Sequence, residues 1–138
     1  MTTVAAGWLT EEHVLSYRRD GYVAVPHVID GSRLAELRAA TEEFVERSRT
    51  VTRSDSVFDL DPRHTAARPV LRRIKNPADN HPVYRWVAFE SPIPDIVAEL
   101  LGPDVKFHHS KLNLKASHVG APVEWHQDAA FYPHSNDD

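Results

Sequence analysis

The sequence contains no cysteine, and this absence limits the chemistry open to the chain. Without thiols there can be no disulfide bond and no thiolate ligand for zinc or an iron–sulfur cluster. Any metal must therefore be held by histidine nitrogens and carboxylate oxygens.

Long apolar runs and basic stretches are also lacking. The first basic residue is Arg18, and no segment has the length and hydrophobicity of a secretory signal or a membrane span. The 16 lysines and arginines are scattered and the net charge is -4, so nucleic acid and anionic lipid find no concentrated basic surface. We therefore expect a cytoplasmic protein that binds neither nucleic acid nor membrane.

The chain has the size and composition of one domain. Its 138 residues are 41% hydrophobic, enough to bury a core, so we expect a single domain over 1–138 with helical elements mostly between residues 10 and 102. A capping residue, followed by acidic residues at the first start, or a proline in the first turn marks each predicted helix start. These starts are Thr10, Asp30, Pro82 and Ser91-Pro92, and the first helix is predicted over 11–20, ending at Asp20-Gly21.

Four strands are predicted, at about 22–26, 70–75, 105–116 and 123–128, and the polar segment 50–68 between them is predicted to be a loop. The third has a period of two: His109, Lys111, Asn113 and Lys115 share one face, and His108 points the other way. Either the polar face borders a cavity, or this is an edge strand wetted on one side. With the helices, these strands predict an α+β fold.

Nine histidines are present, and His126 is followed two residues later by Asp128. In a strand, side chains two residues apart project from the same face, so this pair could take adjacent positions on one metal ion. An isolated His-x-Asp pattern is expected about once by chance in a chain of this composition, so the surrounding sequence must support the assignment. The alternative is a surface pair joined by a hydrogen bond.

Several motifs around this pair form a recognisable set. Trp125-His126-Gln127-Asp128 follows the strand-like Lys111–Lys115 and precedes Phe131-Tyr132-Pro133; earlier landmarks are Asp20–Pro26, Arg73-Ile74-Lys75 and Leu101-Gly102-Pro103. Together they resemble the phytanoyl-CoA dioxygenase family of iron(II)- and 2-oxoglutarate-dependent oxygenases. The resemblance implies a double-stranded β-helix, a cupin-like jelly roll with N-terminal helices packed on the sheet.

The resemblance also implies roles for particular residues. His126 and Asp128 would be two of the three Fe(II) ligands, and Lys75, His109 and Lys111 would line the pocket of the co-substrate 2-oxoglutarate. The implied reaction uses O2 to hydroxylate an unactivated C–H bond of a small-molecule substrate, releasing succinate and CO2. A carboxylate at position 128 favours hydroxylation, because halogenating relatives carry a small residue there.

The family pattern continues with a distal histidine ligand and a 2-oxoglutarate-binding arginine, which we do not find before Asp138. We therefore expect the chain to be the N-terminal portion of a dioxygenase domain, a partial jelly roll whose C-terminal half is missing. Strand edges left uncovered by that half favour self-association. The alternative is a catalytically silent fragment or binding module of the same fold.

Overall fold

The structure is a computed structural model, and it describes residues 7–116 and 124–128. Within these residues helices alternate along the chain with the strands of one antiparallel sheet, which confirms the α+β class. The elements are α1 Glu11–Asp20, α2 Gly31–Ser48, β1 Phe58–Leu60, β2 Leu71–Lys75, α3 Pro77–Asn80, α4 Pro82–Phe89, α5 Ile93–Leu101 and β3 Lys111–Asn113. None of the described helices is long and apolar enough to cross a membrane.

Local signals at both ends explain helix α1. The Thr10 hydroxyl accepts a hydrogen bond from the His13 N–H, and His13 Nδ1 accepts one from the Thr10 N–H, each at 3.2 Å. This reciprocal cap satisfies two backbone donors at the helix start. At the other end Gly21 adopts a φ of 79° and donates to the Tyr17 carbonyl. Glycine tolerates this left-handed conformation, so the helix ends where the sequence predicted.

The strand predicted at 22–26 is wrong, because residues 22–25 have no regular secondary structure and a turn follows. Their β-branched side chains favour a strand, but a strand also needs a partner. The three described strands pair only with one another, and Tyr22 is 71% exposed. Propensity alone did not decide the conformation of this segment.

Helix α2 supplies one wall of the core. Asp30 caps it by accepting a hydrogen bond from the Arg33 N–H at 2.8 Å, as the sequence predicted. Its buried residues, Ala40, Phe44 and Ser48, are spaced by four and therefore line one face. This face packs against the sheet.

The sheet has the strand order β1-β2-β3, with both pairs antiparallel. Phe58 lies opposite Ile74, and Ile74 lies opposite Leu112. The register shifts between Asp59 and Leu60, which leaves Arg72 as an extra residue in β2. This bulge explains how Leu71 and Ile74, three residues apart, are both buried on the helix-covered face.

Strand β1 lies within the segment predicted to be a loop, so that prediction is wrong for residues 58–60. The polar residues before the strand led to the loop prediction. Their side chains instead form hydrogen bonds with the backbone of residues in and beside the strand. Asp55 Oδ1 accepts from the N–H groups of Val57 and Phe58, and the Ser54 hydroxyl accepts from the Leu60 N–H. Their polarity therefore reflects local capping rather than a lack of structure.

Strand β3 is much shorter than the predicted strand at 105–116, because only residues 111–113 are assigned to the ladder. Its partner β2 is five residues long, so most of a strand over 105–116 would have no partner residues to pair with. Single backbone hydrogen bonds extend the pairing at each end, from Asn76 to the Ser110 carbonyl and from Leu114 to the Arg72 carbonyl. Residues 104–110 have no regular structure.

The core lies between α2 and the sheet and consists of Phe44, Phe58, Leu71 and Ile74. The rings of Phe44 and Phe58 meet edge to face with centroids 6.3 Å apart. Tyr84 of α4 borders this cluster, and its hydroxyl lies 2.6 Å from the Thr41 hydroxyl. These contacts hold β2 against the helices. They thereby fix the position of the residues on its other face.

Helices α4 and α5 begin close to the predicted prolines. His81 Nδ1 accepts from the Val83 N–H at 3.2 Å and caps α4, while Pro82 occupies its first turn. Before α5, the Ser91 hydroxyl accepts from the Ile93 N–H. Between β2 and α4, residues Pro77–Asn80 form the single-turn helix α3.

The buried carboxylate of Asp61 makes folding sensitive to acid. It accepts hydrogen bonds from the side chain and the backbone N–H of Arg63. These bonds lower the pKa of Asp61 from 3.8 to about 2. A lowered folded-state pKa stabilises the protein above about pH 4, and this stabilisation is lost as the pH falls through about 2.

We expect the melting temperature of the protein to fall over this pH range and to fall less steeply in Asp61→Asn, which cannot titrate. Thermal denaturation followed by circular dichroism at a series of pH values measures both slopes. Asp104→Asn, which alters an exposed carboxylate outside the sheet, is the matched control. Equal slopes for Asp61→Asn and the parent protein would contradict the assignment.

Candidate active site

The side chains of His126 and Asp128 meet, with Nε2 of the imidazole 3.2 Å from Oδ1 of the carboxylate. The strand predicted at 123–128 is wrong over the described residues, since 124–127 have no regular structure and Asp128 lies in a 3₁₀ turn. Val123 and the Phe131-Tyr132-Pro133 motif lie outside the described residues. The two side chains therefore meet in a segment without strand structure, and strand alternation does not explain their contact.

One hydrogen bond sets the orientation of the His126 ring. Its Nδ1 lies 2.7 Å from the Glu124 carbonyl oxygen. A carbonyl oxygen can only accept, so Nδ1 carries the proton and, in the neutral ring, Nε2 is the nitrogen with the lone pair. Histidines that bind metals commonly use this arrangement, in which the ring nitrogen that does not bind the metal donates to a backbone carbonyl.

These two donors fit adjacent positions on one metal ion. With metal–ligand bonds of about 2.1 Å, neighbouring ligand atoms at a right angle lie about 3.0 Å apart, close to the observed 3.2 Å. The side chains are 37% and 68% exposed, so an ion could reach them from solvent. Among residues 7–116 and 124–128, no group of three or more potential ligands converges. The described residues therefore bring only two candidate ligands together at this point.

The face of the sheet opposite the core carries a group of cations. Lys75 of β2 lies directly opposite Lys111 of β3, and the neighbouring pair is Arg73 and Asn113. Like charges directly opposite each other on antiparallel strands destabilise a sheet. Asp59 of β1 compensates the charge of Arg73, because its carboxylate lies 3.0 Å from Arg73 Nε. The lysine pair is therefore suited to an anionic ligand.

The Lys75 ammonium group is held in place rather than extended into solvent. Its Nζ donates a hydrogen bond of 2.7 Å to the Asp55 carbonyl. An ammonium has three donors, so two remain for a ligand. Lys75 is half-buried and Lys111 is exposed.

His108 and His109 do not alternate faces, so that prediction is wrong. They precede β3, in a segment without strand structure, and their Nδ1 atoms lie 2.5 Å apart. The rings meet edge to face, with His109 half-buried and His108 exposed. His109 therefore does not share the ladder that pairs Lys75 with Lys111.

Two acidic residues of this region were not identified from the sequence. Asp55 and Asp59 lie in the segment predicted to be a loop, yet each contacts a cation of the open face. A serine or aspartate just before an apolar pair often marks a side-chain-capped turn, and Ser54-Asp55 before Val57-Phe58 has this pattern. That signal was present in the sequence.

An apolar cavity of about 580 Å³ lies between α4, α5 and residues 105–112, and Lys111 is among the residues that line it. Its walls include Tyr84, Val87, Phe89, Val97, Phe107 and Leu112. Neither His126 nor Asp128 lines it. The cavity therefore lies apart from the candidate metal ligands.

Comparison with known proteins identifies the family. The model of the phytanoyl-CoA dioxygenase family matches residues 17–138. The chain belongs to this family. The resemblance inferred from the sequence motifs is thereby confirmed.

Curated relatives of this family member are named as dioxygenases and hydroxylases. It is 28% identical over 127 residues to a probable alpha-ketoglutarate-dependent hypophosphite dioxygenase of Stutzerimonas stutzeri, covering 92% of this chain and 44% of the relative. It is 27% identical over 124 residues to L-proline trans-4-hydroxylase of Streptomyces griseoviridis, covering 87% and 41%. It is 25% identical over 122 residues to ectoine dioxygenase of Streptomyces avermitilis, covering 88% and 39%.

The chain thus spans less than half the length of these relatives. The chain is thus similar to proteins that are named as dioxygenases or hydroxylases, one of them as alpha-ketoglutarate-dependent. The family acts on small-molecule substrates.

Proposed function

We propose that this chain forms the N-terminal part of a non-haem Fe(II)/2-oxoglutarate-dependent dioxygenase that hydroxylates a C–H bond of a small organic substrate. The observation that carries the proposal is the contact between His126 Nε2 and Asp128 Oδ1, with His126 Nδ1 bound to the Glu124 carbonyl. This contact presents one nitrogen and one oxygen ligand side by side, as a two-histidine, one-carboxylate iron site requires.

In this proposal His126 and Asp128 hold the iron, and the third protein ligand comes from outside the described residues. When bound, iron with 2-oxoglutarate supplies the activation of O2 for hydroxylation. The Glu124 carbonyl keeps the His126 ring oriented, and the Asp128 carboxylate offsets part of the metal's positive charge.

The same proposal assigns the co-substrate pocket to Lys75, Lys111 and His109. The two lysines supply positive charge on the open face of the sheet for the carboxylates of 2-oxoglutarate. His109, half-buried and just before β3, would add a hydrogen-bonding group at the edge of that face. Arg73 contributes less, because Asp59 already neutralises it.

We further propose that residues 1–138 are one domain that forms half of a jelly roll. Two features support this: the sheet is antiparallel, and it has one face on the helices while the other is polar. The outer edge of β3 has no described partner strand, so self-association through this edge is part of the proposal.

The test is to mix the protein with Fe(II) and 2-oxoglutarate without oxygen and to record the weak visible charge-transfer band of iron-chelated 2-oxoglutarate. We expect the band in a version extended past Asp138 that supplies the third ligand, and little or no band from residues 1–138. Succinate is the matched control, because it lacks the keto group needed for chelation. Absence of the band from the extended version would contradict the proposed activity.

A second candidate function is a catalytically silent binding module of the same fold. The exposure of His126 and Asp128 favours it, because an open two-ligand site binds metal weakly. The charge-transfer experiment separates the two candidates, since a silent module gives no band in either version.

A further inference from the structure

Asp55 closes a turn immediately before β1. Its Oδ1 accepts two hydrogen bonds of 2.7 Å, from the N–H groups of Val57 and Phe58. Its own N–H donates to the Phe58 carbonyl at 2.9 Å. One side-chain oxygen and one backbone donor therefore fix the conformation of residues 55–58.

This turn holds Lys75 at two points. The Lys75 N–H donates to the Val57 carbonyl at 2.7 Å, and its Nζ donates to the Asp55 carbonyl at 2.7 Å. Both acceptors belong to the turn that the Asp55 side chain closes. The position of the ammonium group thus depends on a carboxylate that it does not itself bind.

We propose that Asp55 is a positioning residue, which fixes the Lys75 ammonium group on the open sheet face so that it can bind a carboxylate of 2-oxoglutarate. The inference rests on the co-substrate role proposed for Lys75. A free lysine has a flexible stem, and ordering it on binding costs conformational entropy. Anchoring one of its three donors beforehand reduces that cost and leaves two donors for the ligand.

Lys111 provides a second reason for the hydrogen bond between Lys75 Nζ and the Asp55 carbonyl. Its backbone lies opposite that of Lys75, and like charges in directly opposite positions on antiparallel strands repel each other. The bond to the Asp55 carbonyl holds Lys75 against this repulsion. The N–H of Phe58, followed by that of Val57 and the charge of Lys75, holds the pKa of Asp55 below its usual range. Its charge therefore adds a long-range attraction for Lys75.

Two substitutions separate the geometric contribution of Asp55 from its charge. Asp55→Ala removes the acceptor that closes the turn, whereas Asp55→Asn keeps a side-chain oxygen and removes only the charge. If position matters most, alanine weakens 2-oxoglutarate binding about tenfold and asparagine at most about twofold.

The experiment is an NMR titration of the metal-free protein with 2-oxoglutarate, followed through amide shifts of β2 and β3. We expect Lys75→Met to weaken binding about as much as Asp55→Ala, and the double variant to bind no worse than Lys75→Met alone. Asp104→Asn is the matched control and should leave the titration unchanged. Should Asp55→Ala not fold, Asp55→Ser keeps a shorter oxygen acceptor and should give an intermediate affinity.

The outcomes distinguish the inference from the function on which it rests. Normal binding by Asp55→Ala together with weak binding by Lys75→Met would overturn the positioning role and leave the co-substrate site intact. Normal binding by Lys75→Met would overturn both. If Asp55→Ala weakens binding equally in the Lys75→Met background, its effect is general destabilisation, and the positioning role is again overturned.

Discussion

Replacing His126 by alanine is expected to lower Fe(II) affinity by more than about 100-fold, because even the loss of a group that only orients a ligand costs about 10–100-fold. His126 Nε2 is the nitrogen presented beside Asp128, and no third potential ligand converges on the pair within residues 7–116 and 124–128 that could replace it. Isothermal titration with Fe(II) under anaerobic conditions measures the loss, in a version of the protein extended past Asp138.

Two further variants make this result specific. Asp128→Asn keeps the shape of the side chain but removes its charge, and should also weaken binding strongly. His27→Asn is the control: His27 is exposed and has a φ of 60°, a conformation that asparagine tolerates. Unchanged affinity in His126→Ala would place the metal elsewhere in the molecule.

The second large effect is expected from Phe44→Ala, which should lower the free energy of unfolding by about 3–5 kcal/mol. Phe44 is fully buried, and its ring packs against those of Phe58 and Tyr84 with centroids 6.3 Å away in each case. Alanine would leave a cavity where α2 meets the sheet. Urea denaturation followed by circular dichroism measures the change in stability.

Leu15→Ala is the control, because Leu15 is 57% exposed and surface substitutions usually change stability by less than about 0.5 kcal/mol. A loss below about 1 kcal/mol in Phe44→Ala would show that α2 is not packed on the sheet as described. The packing also matters for the site, because Ile74, buried against this cluster, lies between Arg73 and Lys75.

Helices were predicted well because their signals are local. Thr10 and Asp30 cap their helices through bonds to residues three positions ahead, and Gly21 ends α1 through its own backbone conformation. Such contacts are encoded within one turn of sequence. Pro82 likewise marks the start of α4 without reference to the rest of the molecule.

Strands were predicted less well because each depends on a distant partner. Residues 22–26 have the composition of a strand but no described partner. Strand β1 follows polar residues and pairs with a strand more than ten residues away. The bulge at Arg72 also breaks the alternation of β2. Neither the pairing nor the bulge can be read from one segment alone.

The candidate site shows the same division. The two-residue spacing of His126 and Asp128 was enough to predict their proximity, although the segment that carries them is not a strand. Lys75 and Lys111 were both named from the sequence, but their direct opposition depends on the register of β2 and β3. Asp55 was missed because its link to Lys75 runs through a backbone carbonyl, which any residue possesses.

The most direct test of the central claim is anomalous diffraction at the iron absorption edge, from crystals of the extended protein grown anaerobically with Fe(II) and 2-oxoglutarate. We expect one anomalous peak, at about 2.0–2.2 Å from both His126 Nε2 and an Asp128 carboxylate oxygen. A peak bound by other residues, or none while the iron-free contact between His126 and Asp128 persists, would contradict the account.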